Sequence, residues 1–270
     1  MFQHSIFSLP FIFIAMLTAA NGWFGWKLFF LGVLAAVSAR NFAMGVNRYL
    51  DRDIDKLNPR TRNRPSVDGR VSKRDLQLFI AGNALLFIVV SYFINTLALV
   101  LSVPILGILG AYTYFKRFSA LAHLILGLSL GLAPIAGAVA VLGTIPLWSV
   151  YLAIGVMFWV AGFDLLYSLQ DMEFDRENNL HSIPAKLGEK KTLVIARIFH
   201  LLAVVFWGLY VGPSNIGSYG TMAVIVSVLL LGYEHYLVFE SPRNIDKAFF
   251  TVNGYLGFVF LFFVILGVSW

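Results

Sequence analysis

The sequence predicts an all-α polytopic membrane protein, with about nine transmembrane helices around a central cavity. Apolar residues make up 59% of the chain and charged residues only 13%, whereas soluble domains are nearer half apolar and a quarter charged. The mean hydropathy is +0.79. The charges are confined to a few places, leaving apolar runs of about 20 residues, the length that crosses a bilayer as a helix. These runs are continuous and do not alternate, which argues against a barrel. An open sheet would leave its edge groups unpaired in hydrocarbon.

Taken in order, the first span is Ser5–Ala20, closed by Asn21-Gly22. It reads as a span and not a signal peptide, because Met1-Phe2-Gln3-His4 carries no Lys or Arg. The second, Leu28–Leu50, ends in an acidic run, and the third, Leu76–Ile94, follows a strongly basic loop. The fourth, Leu97–Phe115, is closed by Lys116-Arg117. The fifth, Ala120–Val141, and the sixth, Leu147–Gln170, are separated by the Gly143–Pro146 turn. The seventh, Thr192–Val211, stops at Gly212-Pro213. Met222–Phe239 and Lys247–Val268 complete the set. The two largest loops have about 20–25 residues each, too short for a separate soluble domain and long enough to be functional. Residues 1–270 are therefore expected to form a single integral-membrane domain.

Basic residues set the orientation. The Asp51–Asp75 loop holds Arg52, Lys56, Arg60, Arg62, Arg64, Arg70, Lys73 and Arg74. Loops of the same parity add Lys116, Arg117, Arg176, Lys186, Lys190, Lys191 and Arg243, while the opposite side offers only Lys27. The positive-inside rule makes the basic loops cytoplasmic. The acidic residues share that side, so the polar chemistry is expected to face the cytoplasm. The net charge of +6 then reflects topology and anion binding at a lipid surface and not nucleic acid.

With no cysteine, disulfides, thiolate metal sites and a cysteine nucleophile are excluded. The five histidines, His4, His123, His181, His200 and His235, show no metal-ligand spacing. No glycine loop of the Walker type is present to hold a nucleotide.

The chemistry is expected in two acidic clusters. Asn47, Asp51 and Asp55 recur every four residues at the end of the second span and so line one helical face. Carboxylates at that spacing repel each other, and a helix C-terminus disfavours their charge. Oxygen ligands with an adjacent amide suit Mg²⁺, which shares its coordination with substrate phosphates. Tyr167, Asp171 and Asp175 repeat the spacing at the end of the sixth span. Either cluster alone also fits a solvated helix end. Two on one membrane face, facing each other, predict a shared site of four carboxylates for two metal ions, with Asn47 alongside.

Two ionisable residues lie deeper: Arg40, seven residues before Asn47, and Asp164, seven before Asp171. Charges inside spans usually face a functional cavity, although these two could also pair with each other. The acids are followed by Arg60-Thr61-Arg62-Asn63-Arg64-Pro65, Lys116-Arg117 and Lys186. Metal-binding acids beside Arg and Lys suit a polyphosphate leaving group. Phe42, Tyr49, Tyr112, Phe163 and Tyr167 are candidates to line an apolar tunnel and steady a carbocation. Gly127, Gly131 and Gly137 read as small residues for helix contact. A cation transporter is the rival reading from another class, but it predicts acids near the bilayer midplane and interrupted helices.

Together, Asn47-x3-Asp51-x3-Asp55, Arg62-Asn63-Arg64-Pro65, Tyr167-x3-Asp171-x3-Asp175, Lys116-Arg117 and Ser182-Ile183-Pro184-Ala185-Lys186-Leu187-Gly188 resemble the UbiA superfamily of intramembrane prenyltransferases. The wording around Ala39-Arg40-Asn41 and Tyr167–Asp175 is most similar to its 4-hydroxybenzoate polyprenyltransferase branch. It is also similar to prenyltransferases of the futalosine route to menaquinone, which act on a dihydroxynaphthoate. The resemblance implies a Mg²⁺-dependent transfer of a polyprenyl group from polyprenyl diphosphate to a small aromatic acceptor in respiratory quinone biosynthesis. It implies that Asn47, Asp51, Asp55, Asp171 and Asp175 hold Mg²⁺-diphosphate and that Arg64 and Lys116 contact phosphate. Arg62 and Tyr167 are further substrate-binding candidates. Arg40 is placed on an acceptor carboxylate, and Asp164 is expected to orient or deprotonate the acceptor. Two departures stand out: the chain lacks the short basic lead-in usual before span one, and Thr113 stands where a Pro often follows the Tyr near the end of span four.

Overall fold

The computed structural model describes residues 5–115, 117–241 and 244–268. Every apolar run is helical, and no strand occurs among the described residues. The long helices are α1 (Ser5–Ala20), α2 (Trp26–Leu50), α4 (Lys73–Ile94), α5 (Thr96–Phe115), α6 (Ala122–Leu142), α7 (Leu147–Ser168), α10 (Glu189–Val211), α11 (Gly217–Glu240) and α13 (Asn253–Gly267). Short helices α3 (Arg52–Leu57), α8 (Met172–Glu177), α9 (Ile183–Leu187) and α12 (Ile245–Lys247) fill the loops between them.

Local sequence explains several boundaries. Ser72 caps α4 by accepting from the Asp75 amide at 3.1 Å, and its hydroxyl donates back to the Asp75 carboxylate at 2.6 Å. Gly143 ends α6 in the left-handed conformation, with φ 67°, which costs glycine nothing. Ser182 caps α9 through the Ala185 amide.

Among the described residues, eight helices are long and apolar enough to cross a membrane, with Leu9–Ala20 as a shorter ninth apolar segment. At 1.5 Å per residue α1 spans only about 24 Å. It is also an interior helix, because Phe11, Ile14, Ala15 and Met16 are fully buried and it packs against α6 and α13. Surrounded by protein, it is relieved of the length a lipid-facing helix needs. Large apolar side chains elsewhere face outward, such as Phe30, Leu201 and Leu229. Trp23 and Trp26, exposed at the α1–α2 turn, suit a headgroup interface at the end of the bundle opposite the acids.

The ninth predicted span is not one regular helix. A π-helical turn, Ala248–Val252, separates α12 from α13, and buried Asn253 stabilises it. Its Nδ2 donates to the Ala248 carbonyl at 3.2 Å and to Glu234 Oε1 at 2.7 Å. Its Oδ1 accepts from the Trp159 indole at 2.7 Å.

Three glycines on α6 set helix spacing. A Cβ at Gly127 would collide with the Met157 carbonyl of α7, and one at Gly131 would lie 2.8 Å from the Ala153 carbonyl oxygen. Gly137 meets α1 at the Ile12 carbonyl in the same way. These close backbone approaches are the contact role expected of small residues in spans.

Candidate active site

Both acidic segments break the helix at the middle member of their four-residue-spaced triplet, Asp51 and Asp171. On the first, α2 ends at Leu50, and Asp51 adopts φ −85°, ψ 5° before α3 begins. The Asp55 amide still bonds the Asp51 carbonyl at 2.7 Å, so the four-residue register survives the change in axis. This corrects the expectation of one uninterrupted helical face ending at a helix C-terminus. On the second segment α7 stops at Ser168, a 3₁₀ turn covers Leu169–Asp171, and Asp171 (φ −102°, ψ 3°) precedes α8. Both acids occupy the sparsely populated bridge region, where many active-site residues sit.

The first segment is tightly held. Asp51 and Asp55 are 2% and 4% exposed. Asn47 Nδ2 donates to Asp51 Oδ2 at 2.9 Å and to Thr113 Oγ1 of α5 at 3.3 Å. Arg64 Nη1 lies 2.7 Å from each oxygen of Asp55, with Arg48 at 3.8 Å. Thr61 Oγ1 donates to the Asp55 carbonyl at 3.0 Å, folding the basic loop back over the acids.

The same loop reaches across to the second segment. Arg60 forms a close ion pair with Asp171, and its Nη1 donates to the Tyr167 hydroxyl at 2.9 Å. Asn58 Nδ2 adds a bond to Asp171 Oδ1 at 3.4 Å. Burial works to lower the Arg60 pKa, but the Asp171 carboxylate and the Tyr167 oxygen outweigh it and leave the guanidinium above its ordinary value.

One cavity of about 520 Å³ gathers these groups. Asn47, Asp51, Asp55, Arg60, Arg64, Tyr167, Asp171 and Asp175 line its polar end, Arg40 and Asp164 lie further along, and apolar residues of α1, α2, α4, α5 and α6 line the rest. Arg40 and Asp164 share the cavity, but Asp164 pairs with a different partner. His123 Nδ1 lies 2.7 Å from Asp164 Oδ2.

Other expectations fare unevenly. Arg62 is exposed and is not among the cavity-lining residues. It sits on the outer side of the turn, and Arg60 takes the inward place. Lys116 lies outside the described residues. Its neighbour Arg117 pairs with Asp53 at 2.7 and 3.0 Å and donates to the Leu50 carbonyl. Of the aromatic candidates, Tyr112, Phe163 and Tyr167 line the cavity. Phe42 instead lies beside Gly110, and Tyr49 accepts from Gln77 of α4. Sequence reasoning missed His123, Asn58 and Phe249, all of which line the cavity. The ring centroid of Phe249 is 4.2 Å from that of Tyr167.

The donor set is carboxylate and amide oxygen, suited to a hard divalent cation. As arranged, no three acidic or imidazole side chains among the described residues converge on one point. The pattern fits a cation that takes one or two carboxylates and completes its coordination from a bound phosphate. It does not fit an all-protein cage.

Residues 8–266 match the model of the UbiA prenyltransferase family. The fold superimposes on the apo structure of a UbiA homolog from Aeropyrum pernix K1 with a TM-score of 0.89 and 32% identity, covering 98% of each chain. A UbiA homolog from Archaeoglobus fulgidus bound to DMAPP and Mg²⁺ has the same fold, with a TM-score of 0.72, 18% identity, and 99% and 97% of the two chains covered. A 4-hydroxybenzoate octaprenyltransferase of Albidiferax ferrireducens is 29% identical over 90% of this chain and 82% of its own. The chain belongs to the UbiA prenyltransferase family, as an enzyme embedded in the membrane.

Proposed function

We propose that this enzyme transfers a polyprenyl group from a polyprenyl diphosphate to a 4-hydroxybenzoate-type acceptor, with Mg²⁺, in respiratory quinone biosynthesis. One observation carries the reading: two acidic segments, joined by an arginine, line the polar end of a cavity whose remainder is apolar. A diphosphate fits the first region and an isoprenoid tail the second. The name of the Albidiferax ferrireducens relative supports the aromatic acceptor. The basic loops support a site facing the cytoplasm, and residues 1–270 act as one domain.

Asn47, Asp51, Asp55, Asp171 and Asp175 would share two Mg²⁺ ions, one or two carboxylates to each, and when bound these would supply Lewis-acid stabilisation of charge on the diphosphate oxygens. Arg60 and Arg64, with Lys116 by motif, neutralise the leaving group as the C1–O bond breaks and its electron pair passes to diphosphate. Tyr112, Phe163 and Tyr167, which line the cavity, would steady the allylic cation that remains. Arg40 holds the acceptor carboxylate. The ring carbon beside the phenolic hydroxyl attacks C1, and Asp164 takes the proton that carbon loses.

The test incubates membranes containing the protein with a labelled polyprenyl diphosphate and either 4-hydroxybenzoate or a dihydroxynaphthoate. Label is expected to join 4-hydroxybenzoate, to stop on chelation with EDTA and to resume with Mg²⁺. Transfer to the naphthoate alone would reassign the acceptor, and transfer indifferent to EDTA would remove the metal.

A further inference from the structure

His123 is a buried imidazole between two parts of the site. It sits in the first turn of α6, with its side chain 6% exposed and lining the cavity. Its Nδ1 lies 2.7 Å from Asp164 Oδ2 on α7. Its Nε2 lies 3.4 Å from the backbone nitrogen of Ile183, the first residue of α9.

A backbone N–H can only donate, so Nε2 accepts, and the single ring proton is then on Nδ1. That proton is directed at the Asp164 carboxylate. The tautomer is set by the loop, and the loop contact and the carboxylate contact are two ends of one ring. Asp164 keeps 22% of its side chain exposed toward the cavity. His181 and Ser182, which lead into Ile183, line the same cavity. The segment that His123 holds is therefore part of the cavity wall.

We propose that His123 is a positioning residue that aims Asp164 at the aromatic acceptor and latches the α8–α9 loop over the cavity. The part concerning Asp164 rests on the acceptor reading above, whereas the latch does not. The ring acts through Asp164 and the loop and does not itself touch the reacting atoms.

Two substitutions in the full-length protein separate the ends of the ring. His123→Asn places an amide N–H where Nδ1 sits and leaves nothing at Nε2. His123→Gln reaches the Nε2 position with a carbonyl oxygen and withdraws the donor from Asp164. Hydrogen exchange of the 178–188 segment and steady-state kinetics with both substrates are the readouts. His123→Asn should make the Ile183 amide exchange about ten-fold faster, the cost of one net hydrogen bond, and lower kcat less than His123→Gln does. His123→Gln should retain that protection and lower kcat about ten-fold, with KM for the prenyl diphosphate unchanged. Wild-type exchange and kinetics in both variants would overturn the proposal. So would equal losses in both with faster exchange throughout the chain, which marks a packing role. A wild-type protein inactive on every aromatic acceptor would sink the acceptor reading. The exchange contrast needs no substrate and would still decide the latch.

Discussion

Asp51 and Asp171 hold equivalent places in their segments, each at a helix break with ψ near zero. Their surroundings differ. Asp51 and its follower Asp55 are almost sealed from solvent, and Asp55 is held by Arg64 from the loop that continues its own segment. Asp171 is partly open, and its arginine comes from the other segment's loop. The first segment is thus a prebuilt wall in which Asp55 is paired from its own continuing loop. The second is closed by a contact from the first segment's loop, which, on the proposed function, a diphosphate would replace by drawing Arg60 to its own oxygens.

The largest effect comes from removing charge at the paired positions. Asp51→Asn and Asp171→Asn should each lower turnover by about 10²–10³-fold, measured as labelled prenyl product in membranes with matched protein levels. A large loss in only one would show that the two halves are not equal partners in holding the leaving group.

Next come the arginines, where the comparison predicts opposite burdens. Among the described residues, Arg64→Ala leaves the Asp55 carboxylate, 6% exposed at its side chain, with the more distant Arg48 as its remaining cation. Breaking a buried pair from one side costs about 3 kcal/mol, read as a lower unfolding midpoint in detergent. Arg60→Ala breaks a pair whose arginine is 41% exposed, so stability should change by only about 0.2–1 kcal/mol. Its loss should appear instead as weaker binding of prenyl diphosphate. Equal destabilisation by both would erase the distinction between wall and closure.

The smallest effect lies outside the cavity. The hydrogen bonds from Arg117 hold the Asp53 carboxyl below its usual value, against the opposing effect of burial. A depressed carboxylate pKa stabilises the fold above the unfolded value of about 3.9, and that contribution is lost as pH falls through the lower folded value. Asp53→Asn should therefore cost about 0.2–1 kcal/mol at neutral pH, less in high salt, and nothing in strong acid. A thermal-melt series across pH checks the convergence.

The spans were legible because membrane solvent writes a one-dimensional signal of apolar length. The interior position of α1 was not, since its burial comes from α6 and α13 and its composition matches that of a lipid-facing helix. The π-helical turn at Ala248–Val252 was hidden for a similar reason. Its stabilising bonds run from Asn253 to Glu234 and Trp159, far apart in sequence. In the site, the acids declared themselves by repeated spacing. The choice between Arg60 and Arg62 depended on the turn that Thr61 makes onto the Asp55 carbonyl. Arg60 and Arg64 repeat the four-residue interval of the acids, a cue that points to the inward pair. His123 gave no signal, because its partners lie on α7 and in a loop.

The glycine contacts of α6 limit how this enzyme can breathe. Where backbone rests on backbone at Gly127, Gly131 and Gly137, no long side chain is left to swing aside, and the pillars on that flank cannot easily part. Traffic of substrate in and out must then depend on the short segments at the acidic end of the bundle and on the seams between other helices. Replacing those glycines would jam the architecture without touching a single reacting group.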